Sequence, residues 1–125
     1  MAIVIRSEWL DLTKEEIIDP KRPIIDPHLH LFKNSVFFPR YSLDDFWADA
    51  AGHNVKQAVF VQCLEGYRED GPEELKPVGE TEWVDGVARE AQRDPSKAQI
   101  KGIVGAAELR LGAGVRDVPS SQVRT

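Results

Sequence analysis

The feature that most constrains the fold of this chain is a strand-like run that is apolar on both faces. Residues 55–64 are predicted to be extended, and the four residues 58–61 within them are all apolar. A strand buried on both sides is typical of a parallel sheet that helices cover. Residues 55–64 therefore indicate an α/β fold.

Amphipathic helices are predicted before and after this strand. Ser42, followed by Asp45 three residues later, has the pattern of a capping box. Gly52 or Asn54 supplies the left-handed end of the helix that Ser42 begins. Its apolar stripe consists of Leu43, Phe46, Trp47 and Ala50. The second helix is predicted over residues 80–93, and its apolar stripe consists of Val84, Val87, Ala88 and Ala91.

Two more strands complete the pattern. One is predicted to begin at Pro23 and to end around Pro27, because proline cannot donate to a strand ladder. The other covers residues 99–107, where glycines permit close packing. Strands that alternate with amphipathic helices predict crossover units and a parallel sheet that is wound right-handed.

A short helix is also predicted near the start of the chain. Thr13, with Glu16 three residues later, repeats the capping-box pattern. Pro20 disfavours helical geometry at Asp19, the residue before it. This helix is therefore expected to end near Asp19.

Two histidines follow the first predicted strand at its C-terminal end. Two-residue alternation places His28 and His30 on the same face as Asp26. Two imidazoles that point the same way can bind one metal ion, although a His-x-His pair by itself is a weak signal. His28 and His30 are the candidate metal ligands, and Asp26 is a candidate to orient one of their rings.

For other polar residues, a structural role is favoured over a functional one. His53 is expected to cap a helix end rather than to bind metal. The loop over residues 65–78 is long enough to be functional, but Glu65 and residues 68–70 are expected to be solvated rather than to contact a substrate. Cys63 is expected to be a small core residue rather than a reactive thiol.

The composition narrows the class of protein. A chain of 125 residues has room for one domain, and 42% of its residues are hydrophobic, as in ordinary globular proteins. The net charge of −5 disfavours nucleic acid and anionic membranes as partners. A single cysteine excludes an internal disulfide. Arg6 and Glu8 interrupt the apolar N-terminus too early for a signal peptide, so a cytoplasmic protein is expected.

Two stretches of the chain, residues 19–32 and 52–80, resemble the amidohydrolase-related family of metal-dependent hydrolases. The most specific part is the phrase Pro-Ile-Ile-Asp-Pro-His-Leu-His-Leu at residues 23–31. The resemblance is greatest to the branch that includes sugar-lactone and pyrone-lactone hydrolases, and it covers roughly residues 9–115.

The resemblance implies a (β/α)8 TIM barrel, of which residues 1–115 supply the N-terminal part with three strands and two to three helices. His28 and His30 match the family's His-x-His pair, which contributes to a site for a divalent ion such as zinc. In such a site the ion activates a water molecule that attacks a lactone, amide or related carbonyl of a small-molecule substrate. The later histidines and the aspartate of the family have no counterpart in this chain, so its catalytic residues are not assigned.

After Val115 the sequence changes character. Residues 116–125 have neither an apolar stripe nor strand alternation, and they are predicted to be a disordered tail outside the family. Three parallel strands leave two open sheet edges, so a truncated barrel is expected. The alternatives are a metal-dependent decarboxylase of the same superfamily, an inactive fragment, or a half-barrel that needs a partner or self-associates through its edges.

Overall fold

The computed structural model describes residues 4–33 and 37–122 and has an α/β fold. Three strands form one parallel sheet in the order β1-β2-β3. Their bounds are Pro23–Leu29 for β1, Asn54–Val61 for β2 and Gln99–Val104 for β3. The predicted α/β class, the parallel pairing and the alternation of strands with helices are confirmed.

The helices of the described residues lie before, between and after the strands. They are α1 (Ser7–Leu10), α2 (Leu43–Asp49), α3 (Val78–Ala91) and α4 (Asp117–Gln122). A 3₁₀ turn covers Glu73–Leu75, and two short 3₁₀ pieces separated by a kink at the non-helical Gly112 cover Leu109–Arg116. In the part of the chain that the structure describes, no helix has both the length and the apolar character that a membrane crossing needs.

Helix α2 begins where the sequence predicts it. The Ser42 Oγ accepts a hydrogen bond from the Asp45 N–H at 3.3 Å, and the Asp45 carboxylate accepts one from the Ser42 N–H at 2.7 Å. These two bonds satisfy donors that the first turn of a helix leaves open. Gly52 follows the helix with a φ of +91°, a conformation that glycine adopts without strain.

Helices α2 and α3 contribute to one hydrophobic core with the sheet. The Trp47 Nε1–H of α2 donates to the Ala98 carbonyl, just before β3, at 2.9 Å. The Trp83 ring of α3 meets the Phe60 ring of β2 edge-on. The buried cluster between these layers consists of Leu29, Leu31, Leu43, Phe46, Trp47, Ala58, Phe60, Val84, Ala91, Ala98 and Ile100. Each large apolar side chain in it contributes roughly 1.5–3 kcal/mol to stability.

The prediction of a helix over residues 13–19 is wrong. These residues are described, are exposed and have no helical conformation, and the nearby helix α1 ends before them at Leu10. The Ile18 side chain is 100% exposed, so a helix here has no apolar face to bury. A helix of fewer than two turns is unstable without such packing, and a capping box does not replace it.

Strand β1 continues past the predicted end. It runs through Pro27 to Leu29, and its register against β2 shifts between Asp26 and Leu29. Because β1 is at the edge of the sheet and irregular at this point, the missing N–H of Pro27 removes no required ladder bond. The strand therefore includes His28 rather than ending before it.

The segment 116–125, predicted to be disordered, contains helix α4. Val118 is 0% exposed, and the Gln122 side-chain amide donates to the Ala106 carbonyl at 2.9 Å. Burial of Val118 packs this helix against the rest of the protein. A single buried residue forms no apolar stripe, so the sequence pattern did not reveal the helix. Residues 123–125 lie outside the described residues, and the predicted boundary at residue 115 stays a prediction.

Candidate metal centre

The two candidate ligands meet at the C-terminal tip of β1. His28 lies next to the last residue of the strand, and His30 follows its end. Their Nε2 atoms are 3.0 Å apart and their ring planes are nearly perpendicular, at 84°. The His28 side chain is exposed and the His30 side chain is half-buried. The predicted placement of both rings on one face is therefore confirmed.

The last residue of β2 orients the His30 ring. The Nδ1 of His30 lies 2.9 Å from the carbonyl oxygen of Val61. A carbonyl oxygen only accepts hydrogen bonds, so this nitrogen carries the proton and donates it. In the neutral ring, Nε2 of His30 then keeps its lone pair, which is the atom that a metal ion needs.

The spacing of the two Nε2 atoms fits a shared metal ion. Two nitrogen ligands of one zinc ion, each about 2.0–2.1 Å from it, lie roughly 3 to 3.4 Å apart. The 3.0 Å separation of the His28 and His30 nitrogens is in this range. A contact of two ring nitrogens also requires one proton between them, which Nε2 of His28 supplies. For both nitrogens to bind one ion, that proton has to move to Nδ1 of His28, so that each ring presents an unprotonated Nε2.

Two imidazoles are a partial ligand set. Within residues 4–33 and 37–122, no group of three or more His, Cys, Asp or Glu side chains is arranged to hold a metal ion. Catalytic zinc usually has three protein ligands and a water molecule. The residues present therefore fit two positions of a metal shell and leave the others to water, substrate or further ligands.

Asp26 has a different role from the one considered in the sequence. Its Oδ1 accepts a hydrogen bond from the backbone N–H of His28 at 3.0 Å. The carboxylate therefore holds the backbone at the irregular end of β1, while the Val61 carbonyl holds the His30 ring. Alternation indicated that Asp26 lies on the same side, but it could not indicate which group of His28 the carboxylate meets.

The structure separates the other polar candidates. Glu65 reaches the chain that follows β1, where its Oε2 accepts a hydrogen bond from the Lys33 N–H at 3.2 Å. Arg68 forms an ion pair with Glu82 of α3. His53 directly precedes β2 and so lies at the N-terminal end of this strand. Because β1 and β2 are parallel, the histidine pair lies at the other end, where both strands finish. His53 is therefore remote from the histidine pair.

Cys63 packs against the core beside this tip. Its Sγ lies 3.5 Å from the Leu31 carbonyl, to which the thiol donates. Burial, together with the nearby Glu80 and Glu65 carboxylates, raises the pKa of the Cys63 thiol to about 12. The protonated thiol is a poor nucleophile at neutral pH.

The sequence interpretation missed Glu80. This residue is on the first turn of α3 and is only 1% exposed. Its Oε1 accepts two backbone hydrogen bonds, from the Cys63 N–H at 2.9 Å and from the Glu65 N–H at 2.8 Å. One signal could have found it: Glu80 lies four residues before Val84, in line with the apolar stripe of the helix.

An aromatic pair flanks the site. The Phe32 ring lies 6.2 Å from the His30 ring between centroids, and it stacks on the Phe38 ring at 4.6 Å. Stacked rings provide a flat apolar surface next to the histidine pair. An organic group bound at the histidines would therefore have an apolar neighbour on this side.

Comparisons with protein-family models, with curated proteins and with solved structures each find no match for this chain.

Proposed function

We propose that His28 and His30 bind a divalent metal ion such as zinc, and that the protein is a metal-dependent hydrolase of the amidohydrolase type. Its substrate class is a lactone, an amide or a related carbonyl compound. The observation that carries the proposal is the pair of Nε2 atoms 3.0 Å apart, with the His30 ring fixed through the Val61 carbonyl. Ligand histidines in metalloenzymes are commonly oriented by such a second hydrogen bond.

The position of the pair in the fold supports the same assignment. The histidines lie at the C-terminal edge of a parallel sheet, where barrel enzymes assemble their sites. The strand order follows the chain, and α2 and α3 both cover the same face of the sheet. In a (β/α)8 barrel every helix lies on the outer face, so we extend the proposal to a barrel-type arrangement of these units.

The chemistry expected at this site divides between the metal and the protein. A bound divalent ion supplies Lewis acidity and lowers the pKa of a coordinated water molecule. His28 and His30 hold the ion, and the Val61 carbonyl keeps the His30 ring in the orientation and tautomer that binding requires. The stacked Phe32 and Phe38 rings place an apolar surface beside the His30 ring.

Metal titration of histidine variants tests the proposal, and the chain contains its own control. We expect one Zn²⁺ or Co²⁺ ion per wild-type chain by calorimetry, and loss of that binding in His28→Ala and in His30→Ala. His53→Ala removes the remaining histidine, at the opposite sheet edge, and should bind metal as the wild type does. Equal binding by all three variants, or no binding by the wild type, contradicts the proposal.

The substrate class requires a separate assay. The metal-loaded protein should hydrolyse members of a lactone and amide panel, and a chelator should abolish this activity. Release of carbon dioxide from carboxylated substrates, without hydrolysis, would instead identify a metal-dependent decarboxylase. Metal binding without turnover of either kind would contradict the enzymatic part of the proposal and leave the metal site in place.

A further inference from the structure

The turn after β2 is held by a carboxylate from helix α3. Glu80 is buried under the turn after β2, and its Oε1 accepts the backbone N–H groups of both Cys63 and Glu65. Hydrogen bonds to an ionised acceptor are stronger than bonds between neutral groups. This one oxygen atom therefore fixes two peptide units of the turn.

The turn that Glu80 holds is a strained one. Leu64, between the two donors, has a φ of +69°, whereas in the described residues the other positive φ values belong to glycines. A left-handed conformation is unfavourable for leucine and persists where the surroundings impose it. The carboxylate of Glu80 is the group that meets both sides of Leu64, so it is the direct restraint on this conformation.

The restrained turn is connected to the His30 ring through one peptide. The C=O of the Val61–Gln62 peptide accepts the His30 Nδ1–H, and the N–H of the same peptide donates to the Val104 carbonyl of β3 at 2.9 Å. The next N–H along the chain, that of Cys63, is the first one bound by Glu80. The carbonyl that orients His30 therefore lies between two fixed points, β3 and Glu80.

A second connection joins the same turn to the chain after His30. Glu65, whose N–H is bound by Glu80, accepts the Lys33 N–H through its side chain. The Cys63 thiol donates to the Leu31 carbonyl. The chain directly after His30 is thus tied at two points to a turn whose geometry depends on Glu80.

We propose that Glu80 is a positioning residue for the metal site, acting through the turn after β2 to hold the Val61 carbonyl and hence the His30 ring. The inference rests on the proposed function, in which His30 is a metal ligand. Glu80 touches neither the ion nor the substrate. Its second oxygen, Oε2, is buried and has no hydrogen-bond partner among the described residues.

The experiment compares three substitutions at Glu80 with a neighbouring control. Glu80→Gln keeps the shape and one acceptor oxygen, Glu80→Asp keeps the charge but shortens the reach, and Glu80→Ala removes the acceptor. Thr81→Val is the control, because Thr81 is buried beside Glu80 and its hydroxyl has no partner among the described residues. Each protein is measured without metal, by the ring ¹⁵N shifts of His30, and then by titration with Zn²⁺.

We expect the wild type and Thr81→Val to hold His30 in the Nδ1–H tautomer. Folded Glu80→Ala and Glu80→Asp should show a mixture of tautomers and about 10–100-fold weaker zinc binding, the usual effect of losing a group that orients a ligand. Glu80→Gln weakens the two bonds without removing them, because its amide oxygen is a neutral acceptor, so it should lie between these variants and the wild type. A merely structural role would lower the unfolding midpoint and leave the His30 tautomer unchanged.

Two outcomes separate the failure of this inference from failure of the proposed function. If Glu80→Gln and every other Glu80 variant that folds keep the wild-type tautomer and zinc affinity, Glu80 is not a positioning residue. If the wild type binds no zinc while its Glu80 variants still change the His30 tautomer, the metal proposal fails and the positioning role stands. Glu80→Gln is close enough in shape to the native residue to give the decisive result if the other variants do not fold.

Discussion

Residues 13–16 and residues 42–45 carry the same pattern, a hydroxyl side chain followed three positions later by an acid, yet they have different structures. The second segment begins helix α2, where Ser42 and Asp45 form both bonds of a capping box. The first segment, Thr13 to Glu16, is exposed and not helical. Two similar local signals therefore end in two different conformations.

The two segments differ in the side chains that come after the cap. After Ser42 come side chains that bury themselves against the sheet, among them Phe46 and Trp47. After Thr13 come exposed isoleucines, and then Pro20 ends any helix within two turns. Capping satisfies a few backbone groups, but packing of an apolar face supplies most of the stability of a short helix. Packing is therefore expected to contribute more to the stability of α2 than capping does, and four substitutions test this order.

The largest effect is expected from Trp47→Ala. This side chain is 7% exposed, fills the space between α2 and the sheet, and donates to the Ala98 carbonyl. Truncating a buried tryptophan typically lowers the free energy of unfolding by about 3–5 kcal/mol. Urea denaturation measures the change, with Trp9→Ala as the matched control. Trp9 is 67% exposed, so its loss should change stability by less than about 0.5 kcal/mol. Similar losses for the two tryptophans would refute this order.

A smaller effect is expected from Ser42→Ala. The substitution removes the hydroxyl that accepts the Asp45 N–H, and it leaves the apolar stripe of α2 intact. Loss of an N-cap side chain lowers the free energy of unfolding by about 1 kcal/mol. Ser42→Thr should recover most of that loss in the same denaturation assay. A loss as large as that of Trp47→Ala would mean that capping, and not packing, decides whether α2 forms.

The charge of Asp45 is expected to make a pH-dependent contribution. The Ser42 hydroxyl, and after it the Ser42 backbone N–H, lower the pKa of the Asp45 carboxyl in the folded protein. A lowered folded-state pKa means that the ionised form stabilises the fold. This contribution is present above the ordinary carboxyl pKa of about 4 and is lost as the pH falls through the lowered value. The stability difference between wild type and Asp45→Asn should therefore shrink on acidification. NMR titration of Asp45 in Ser42→Ala should show its pKa returning upwards; an unchanged pKa would assign the shift to another cause.

The smallest effect is expected from Thr13→Ala. Because residues 13–19 form no helix, the Thr13 hydroxyl caps nothing, and an exposed substitution of this kind usually changes stability by less than about 0.5 kcal/mol. Its denaturation midpoint should match that of the wild type. A loss similar to that of Ser42→Ala would show that a capped helix does form at residues 13–19 in solution.

Much of the fold could be predicted because its signals are local. The apolar run at residues 58–61 and the stripe that includes Phe46 lie within single elements, and β2 and α2 form at those positions. The end of β1 could not be predicted in the same way. Pro27 normally ends a strand, but here it lies at a sheet edge where the register shifts, and both facts depend on the pairing with β2.

Half of the candidate site follows from local spacing. His28 and His30 are two residues apart in an extended segment, which is enough to bring their rings together. The groups that complete the site are distant in sequence. Val61 is 31 residues beyond His30, and Glu80 contacts a turn 15 to 17 residues before it. The alignment of Glu80 with the apolar stripe of α3 indicates burial, but it does not identify the backbone groups that the carboxylate binds.

The sequence by itself determined the α/β class, the order of the three strands and of the helices α2 and α3 between them, and the two neighbouring imidazoles, because each depends on the spacing of nearby residues along the chain. The tertiary structure alone decided which capping box becomes a helix, which atom of His30 carries the proton, and that Glu80 is buried against the end of β2. Each of these depends on contacts between separate elements, where burial and hydrogen bonding to a partner outweigh local preference.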